Sequence, residues 1–181
     1  LGKEFEVSRT PIRQVLQRLA YEKLAVVKVG VGTTVQDQPL ETQRQGLQIR
    51  SGIYRIIDDL GITATPQDIE ASIAPLYYRV SRLSADAERE KFWSVLRDVH
   101  LLTAGLIADD VLKRTDDMLF YRTVPGLVHQ SARFPDLATK LIRTEFEKLI
   151  GPIEKGDFQA YFCLRAETLL SFCALLDAAE S

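Results

Sequence analysis

The chain has 181 residues, of which 46% are hydrophobic and 27% charged, and its formal net charge is -2. This composition is typical of a helix-rich globular protein and excludes a disordered or fibrous chain. No apolar run reaches the roughly 18 residues of a membrane span, and no export signal opens the sequence, so we expect a cytoplasmic protein without a membrane partner. Cys163 and Cys173 lie ten residues apart in one helical pattern, so their side chains point in different directions and cannot pair, and no CxxC motif suggests zinc or redox chemistry. Both are expected to pack in the interior.

The charge is distributed unevenly along the chain. Residues 1–35 have a net charge of +3, which leaves -5 for the remainder. Attraction to phosphate depends on the local field rather than on the total charge. The first segment could therefore bind nucleic acid although the whole chain is slightly acidic.

A short amphipathic helix is predicted to begin near Ser8. Ser8 or Thr10 can cap its free N–H groups, and Pro11 is tolerated in its first turn. The helical period places an apolar stripe on one face, formed by Ile12, Val15, Leu16 and Leu19. The opposite face is polar throughout and contains Arg9, Thr10, Arg13, Gln14, Gln17 and Arg18.

A β-hairpin is predicted next, in the stretch LAVVKVGVGTTVQD, because β-branched residues flank a tight turn at residues 30–32. At the start of the chain, before the predicted helix, the stretch LGKEFEV (residues 1–7) is typical of the end of an earlier helix. It suggests that an amino-terminal piece precedes the chain. The order helix, turn, helix, hairpin is that of a winged helix-turn-helix. We place this domain at 1–37, before a polar connector that contains Pro39.

The remaining segment, 38–181, has helical periodicity and helix-start signals throughout, including a capping-box spacing at 65–68. It predicts an all-helical bundle, so the fold class is mainly α with one small hairpin. The six expected helices lie near 41–59, 65–83, 85–107, 109–131, 135–155 and 157–178.

The polar face of the first helix suits the major groove of duplex DNA. An arginine fork can donate to O6 and N7 of guanine together, which makes Arg9 and Arg13 candidates for base contacts. Ser8 and Thr10 suit phosphate oxygens. Further candidates are Gln14 and Gln17 on the same face and Gly30 and Gly32 in the turn, where no Cβ blocks approach to the DNA. The alternative for such a face is an ordinary solvated surface.

The stretch LGKEFEVSRTPIRQVLQRLAYEKLAVVKVGVGTTV resembles the DNA-binding segment of GntR-type bacterial transcription regulators. That segment has the form L-A-x-x-[FL]-x-V-S-R-x-P-V-R-E-A-L-x-x-L, followed by G-L-V and a G-x-G-T-x-V wing. The resemblance marks Arg9 and Arg13 as operator contacts and implies that the first helix of the domain is missing. This chain departs from the pattern at Ile12, Gln14 and Lys23, where valine, glutamate and glycine are usual.

The helical segment is similar to the effector domain (FCD type) of the FadR-like branch, on the stretches IRSGIYRIIDDLGI, TPQDI, LRDVH and GDFQAY. Many members bind a divalent metal through one aspartate and three histidines. Here only His100 matches, and the other three positions hold Leu96, Phe146 and Thr168. One imidazole is too few donors for a metal site, so we predict neither a metal nor another cofactor.

His100, Arg50 and Thr168 are the candidates for effector binding. His100 shares a predicted interior stripe with Trp93, Leu96 and Thr103, so it is either a core histidine with one hydrogen-bond partner or a donor to an effector. Arg50 either clamps a carboxylate in the interior or pairs at the surface with Asp58 or Asp59.

No GxSxG, P-loop, GxGxxG or HExxH motif occurs, so an enzyme is not indicated. The sequence instead predicts a transcription regulator, as a repressor, whose homodimer reads a pseudo-palindromic operator in double-stranded DNA. A small organic effector such as a carboxylate would bind in the helical domain. The alternative is a helical ligand-binding or interaction module whose truncated head does not bind DNA.

Overall fold

The computed structural model describes residues 8–28, 30, 32–35, 38–61, 63–64, 69–85 and 89–178. The chain divides into two compact units, residues 1–38 and 39–181. Two expectations lie outside the described residues, namely the end of an earlier helix at 1–7 and the capping box at 65–68. Among the described helices, none is both long enough and apolar enough to cross a membrane.

The first unit begins with helix α1, Arg9–Tyr21, and continues into a hairpin. At the end of α1 the N–H groups of Leu24 and Lys23 donate to the carbonyls of Leu19 and Ala20, which is the Schellman arrangement. Lys23 consequently has a φ of 58°, in the left-handed region. This explains why glycine is usual at this position, since only glycine adopts that conformation without steric cost.

The hairpin confirms the predicted pair of strands. Strand β1, Ala25–Lys28, pairs antiparallel with β2, Gly32–Val35, so that Ala25 faces Val35 and Lys28 faces Gly32. Gly30 and Gly32 have φ values of 77° and 122°, so the turn uses a backbone conformation that favours glycine at both positions. Helix α1 followed by the hairpin is consistent with the predicted winged helix-turn-helix.

The second unit is helical, as the periodicity predicted, with one isolated bridge between Thr63 and Ile107. Its described helices are α2 (Leu40–Leu60), α3 (Ile69–Ser81), α4 (Arg89–Gly105), α5 (Asp110–Arg133), α6 (Pro135–Glu154), α7 (Phe158–Ser171) and α8 (Cys173–Asp177). The sixth expected helix, 157–178, is observed as two elements, α7 and α8, with an interruption at Phe172, whose φ of -68° and ψ of -17° remain in the helical region.

Helix α2 lies at the centre of this unit and packs against α5, α7 and α8. Its contact with α5 is close at Gly46, where an added Cβ would overlap Cγ2 of Thr123. The Thr123 hydroxyl donates to the carbonyls of Leu119 and Phe120, which holds this buried side chain in place. Gly46 is therefore required by helix packing.

Three smaller expectations were wrong. Ser8 occupies the N-cap position of α1, but its side chain makes no capping hydrogen bond. Val15 belongs to the apolar stripe by spacing, yet its side chain is exposed. Cys163 is exposed on α7 rather than packed, and only Cys173 is partly buried.

Replacing Gly46 with alanine tests the packing of α2 on α5. Alanine favours the helix by about 0.8–1 kcal/mol, but overpacking against Thr123 costs about 1–3 kcal/mol. We expect Gly46→Ala to lower the free energy of unfolding, measured by urea denaturation, relative to Gly52→Ala. Gly52, on the same helix, is the matched control, because an added Cβ there would meet no atom within 4 Å. Equal stability of the two variants would contradict the packing argument.

Candidate functional site

The exposed surface of α1 contains most of the residues expected to contact DNA. Thr10, Arg13, Gln14 and Gln17 are all exposed, and so is Ser8 at the start of the helix. The backbone of Arg9 begins α1, but its side chain lies outside the described residues. The structure thus places the described polar side chains on one solvent-facing side of the helix.

The positive charge of this surface depends on which of its arginines are paired within the helix. The Nε atom of Arg18 lies 2.9 Å from a carboxylate oxygen of Glu22, so one of the cations is already partly neutralised by an i,i+4 pair. No such ion pair involves Arg13 among the described residues. Arg13 therefore has a guanidinium free for an external acceptor.

At the centre of the helical unit, α2 and α5 are joined by a buried ion pair. The Nε atom of Arg50 donates to Oδ1 of Asp116 at 2.7 Å, and both side chains are almost completely buried. The Tyr54 hydroxyl donates to Oδ2 of the same carboxylate at 2.9 Å. Of the two roles considered for Arg50, the surface pair with Asp58 or Asp59 is wrong, because the side chain points inward.

His100 of α4 extends this polar cluster. Its Nε2 lies 2.7 Å from Oδ1 of Asp117, and its Nδ1 lies 3.3 Å from a terminal nitrogen of Arg50. Nδ1 also lies 3.4 Å from Oδ2 of Asp116, so it accepts from Arg50 in one tautomer and donates to Asp116 in the other. The ring also stacks on Phe120, with 3.9 Å between ring centroids. His100 is thus a core histidine with more than the single partner expected.

The pair is held in its charged form by mutual attraction. Burial by itself would lower the pKa of Arg50, but Tyr54 and Asp116 raise it above its ordinary value. Burial likewise would raise the pKa of Asp116, yet the charge and hydrogen bonds of Arg50, with His100 beside it, bring that pKa well below its usual range. Arg50 is therefore already neutralised, which weakens the hypothesis that it clamps an effector by itself.

A cavity of about 30 Å³ lies beside the ion pair, between α4, α5, α6 and α7. Ten of its lining side chains are hydrophobic and four are polar. The polar ones are Arg50, Glu145, Arg165 and Thr168. A space of this size accommodates about one or two water molecules. Thr168, an expected effector residue, lies on this wall, whereas His100 is absent from the lining.

Arg165 and Glu145 were missed by the sequence reasoning. Both are buried although they occur in helices with ordinary charged faces. Glu145 accepts a hydrogen bond from Nζ of Lys148 at 2.8 Å. The available signal for Arg165 was its position three residues before Thr168, which places the two side chains on the same side of α7.

The residues of the cavity do not fit a divalent metal. By the resemblance to the FCD-type effector domain, Leu96, Phe146 and Thr168 stand at three of the metal-ligand positions, and none of these side chains is an imidazole or a carboxylate. The fourth position is His100, whose ring nitrogens already contact Asp117, Arg50 and Asp116. Within the described ranges, no group of three or more histidine, cysteine, aspartate or glutamate side chains could hold a metal ion.

A larger and more open groove, about 580 Å³, lies between α3 and α6. Its lining includes Ile73, Tyr77, Ile150 and Glu154. Its described lining residues include no cation, so they offer little to recognise an anionic ligand. The smaller central cavity, by contrast, is lined by four polar side chains, two of them arginines.

Comparison with known proteins agrees with the geometry of the first unit. Residues 1–35 match the sequence model of the bacterial regulatory proteins of the gntR family. No match was found among curated proteins. The family match supports a DNA-binding transcription regulator.

The fold resembles a solved structure of Lar, described as controlling the expression of the Listeria monocytogenes agr system and mediating virulence. The TM-score is 0.52 and the sequence identity 14%, over 98% of this chain and 83% of that chain. At this identity the likeness concerns the fold alone.

Removing one partner of the buried pair should destabilise the helical unit. We expect Asp116→Asn to lower the free energy of unfolding by about 3–5 kcal/mol, because it leaves the Arg50 charge buried and uncompensated. Urea denaturation followed by circular dichroism measures this change. The control is Arg97→Gln, which removes a half-exposed pair with Asp98 and should cost less than about 1 kcal/mol.

The difference between the wild type and Asp116→Asn should also depend on pH. The pKa of Asp116 is lowered on folding, so its contribution is fully present above the unfolded value of about 3.9 and is lost as the pH falls through the folded value. We expect a constant difference between pH 7 and 5 that narrows only in stronger acid. A difference that vanishes near pH 6 would contradict the assignment.

Proposed function

We propose that the chain is a bacterial transcription regulator that inserts α1 into the major groove of operator DNA. The strongest support is that the exposed polar side of α1 lies within the segment that matches the gntR family. A helix fits the major groove, and its outward side chains reach base edges there. In this proposal Arg9 and Arg13 contact bases, and Ser8, Thr10, Gln14 and Gln17 contact bases or phosphates.

The hairpin has a second role in the same proposal. Gly30 and Gly32 at its tip are exposed and lack side chains, so the backbone can approach a phosphate or the minor groove closely. The positive net charge of residues 1–35 favours association with DNA although the whole chain is acidic. Because its target is DNA, the regulator acts in the cytoplasm.

The helical unit would sense an effector and belong to the FadR-like branch with an FCD-type domain. Its support is a bundle interior that contains a polar cluster beside a cavity. An effector that binds two arrangements of the protein differently shifts their populations and so changes operator affinity. We infer a repressor that such a ligand modulates, with Arg50, His100 and Thr168 in or beside the effector site.

A homodimer is proposed on physical grounds, since two heads read both half-sites of a pseudo-palindrome. One face of α2 offers a suitable surface, because Ile49, Ile56 and Leu60 share it and are 54%, 47% and 66% exposed. Such a face can pair with its own copy about a two-fold axis.

Changing Arg13 to alanine tests base recognition. We expect duplexes selected from a random pool by the full-length wild type to lose their advantage over unselected DNA by about 5- to 150-fold in the variant, corresponding to 1–3 kcal/mol for one arginine–guanine contact. Fluorescence anisotropy at several salt concentrations measures both affinities.

Two outcomes distinguish the roles of Arg13. If it contacts only a phosphate, selectivity remains and the salt slope falls by about one unit. Arg55→Ala removes an exposed arginine of α2 and is the control, with binding expected to be unchanged. Salt-independent binding or no binding by the wild type would favour the alternative of a helical interaction module.

The dimer surface is tested by Ile56→Glu. A buried carboxylate at the centre of an apolar interface lacks a partner, so we expect a monomer by light scattering and unchanged helicity by circular dichroism. Leu101→Glu is the control, because Leu101 is an exposed apolar residue of α4. A dimer that persists in Ile56→Glu would place the interface elsewhere.

A further inference from the structure

The guanidinium of Arg165 is buried without a counterion. Its residue is 5% exposed, and its Nε has no hydrogen-bond partner. Within the described part of the chain, no carboxylate lies within ion-pair distance of it. Arg50, the neighbouring buried arginine, is paired with Asp116 at 2.7 Å. Of the two buried arginines, Arg50 therefore has a counterion and Arg165 has none among the described residues.

The carboxylate that shares the cavity with Arg165 is committed to another partner. An oxygen of Glu145 lies 2.8 Å from Nζ of Lys148, which reaches it from the same helix. Arg165 has instead an aromatic neighbour, since its Cζ lies 5.7 Å from the centre of the Tyr54 ring. That contact orients the guanidinium and stabilises it in part, but it leaves Nε without an acceptor.

An unpaired buried charge costs several kcal/mol, and buried charges in folded proteins are normally paired. Here the unpaired cation borders a cavity, so an anion entering that cavity gains a charge-assisted hydrogen bond. The planar fork of arginine matches a carboxylate in particular. The remaining wall is mostly apolar, with Leu96, Phe146 and Phe172 among its residues.

We propose that Arg165 binds the carboxylate of a small organic monoanion with an apolar body, directly and without a metal ion. This inference rests on the proposed function, since it names the chemical class of the effector. One unpaired cation balances one negative charge, and a multiply charged anion would leave charge unmatched among apolar side chains. The Thr168 hydroxyl, which donates to the carbonyl of Leu164, lies on the same wall and has lone pairs that accept from a protonated ligand group.

The size of the cavity adds a consequence. A volume of about 30 Å³ is too small for an organic acid, so the ligand must separate side chains of α5, α6 and α7 to enter. Packed helices move as units rather than deforming continuously. Binding at Arg165 therefore displaces helices of the second unit, which is the kind of change a regulator requires.

The test is calorimetric titration of the full-length protein, in the absence of DNA, with butyrate, hexanoate and benzoate. Hexanamide and inorganic phosphate are the matched neutral and multiply charged probes. We expect at least one monocarboxylate to bind, hexanamide and phosphate not to bind, and prior treatment with EDTA to leave the affinity unchanged. Arg165→Gln should lose at least about 30-fold in affinity, whereas Arg55→Gln should retain it.

A second variant separates ligand binding from folding. Without ligand, Arg165→Met should melt at least about 2 °C higher than the wild type, because it removes an uncompensated buried charge. A lower melting temperature would show that the fold itself uses the charge and would overturn the proposal. So would failure of all three monocarboxylates to bind, binding that EDTA abolishes, preference for phosphate, or unchanged affinity in Arg165→Gln.

The outcome is independent of the DNA experiment. A protein that binds DNA selectively but none of the three acids contradicts this inference and leaves the proposed DNA recognition intact. A protein that binds a monocarboxylate through Arg165 but no DNA contradicts the proposed function and leaves the anion site intact.

Discussion

The helical unit depends on the buried pair between Arg50 and Asp116. It joins α2 to α5, and through His100 it also reaches α4, so three helices meet at one neutralised charge. A buried pair contributes little net stability over an apolar core, but losing one partner is costly. The pair links these helices at one point, and the close contact of Gly46 with Thr123 brings α2 and α5 together at a second.

The same cluster explains the character of the adjoining cavity. Because Asp116 neutralises Arg50, the positive charge that remains beside the cavity is that of Arg165. The only carboxylate among its described lining residues, Glu145, is paired with Lys148. The proposed ligand is therefore an anion rather than a cation.

Local patterns in the sequence were sufficient for the elements of the fold. The 3.6-residue period predicted α1 and the helices of the second unit, and the β-branched residues around Gly30 and Gly32 predicted the hairpin. The break at Phe172 was missed because 172–177 continues the apolar pattern without a glycine or proline. The left-handed backbone at Lys23 had a signal, since glycine is usual there in the family that the segment resembles.

Contacts between distant residues were not predictable in this way. For Arg50 the sequence left open an inward carboxylate clamp or a surface pair with Asp58 or Asp59. It did not identify the actual partner, Asp116, which is 66 residues away and on another helix. Arg165 escaped notice because arginine is rarely buried, so a solvated position is the default expectation. Packing between helices decides which charged side chains are buried and which residues they pair with. The periodicity of a single helix does not predict either.

The central claim is that an anion in the helical unit and DNA on α1 influence each other. Its most direct test is the affinity for a selected duplex with and without a saturating monocarboxylate, together with the carboxylate affinity with and without the duplex. The account predicts that both affinities change by the same factor, because coupling between two sites is reciprocal. A duplex affinity unaffected by the bound carboxylate would contradict it.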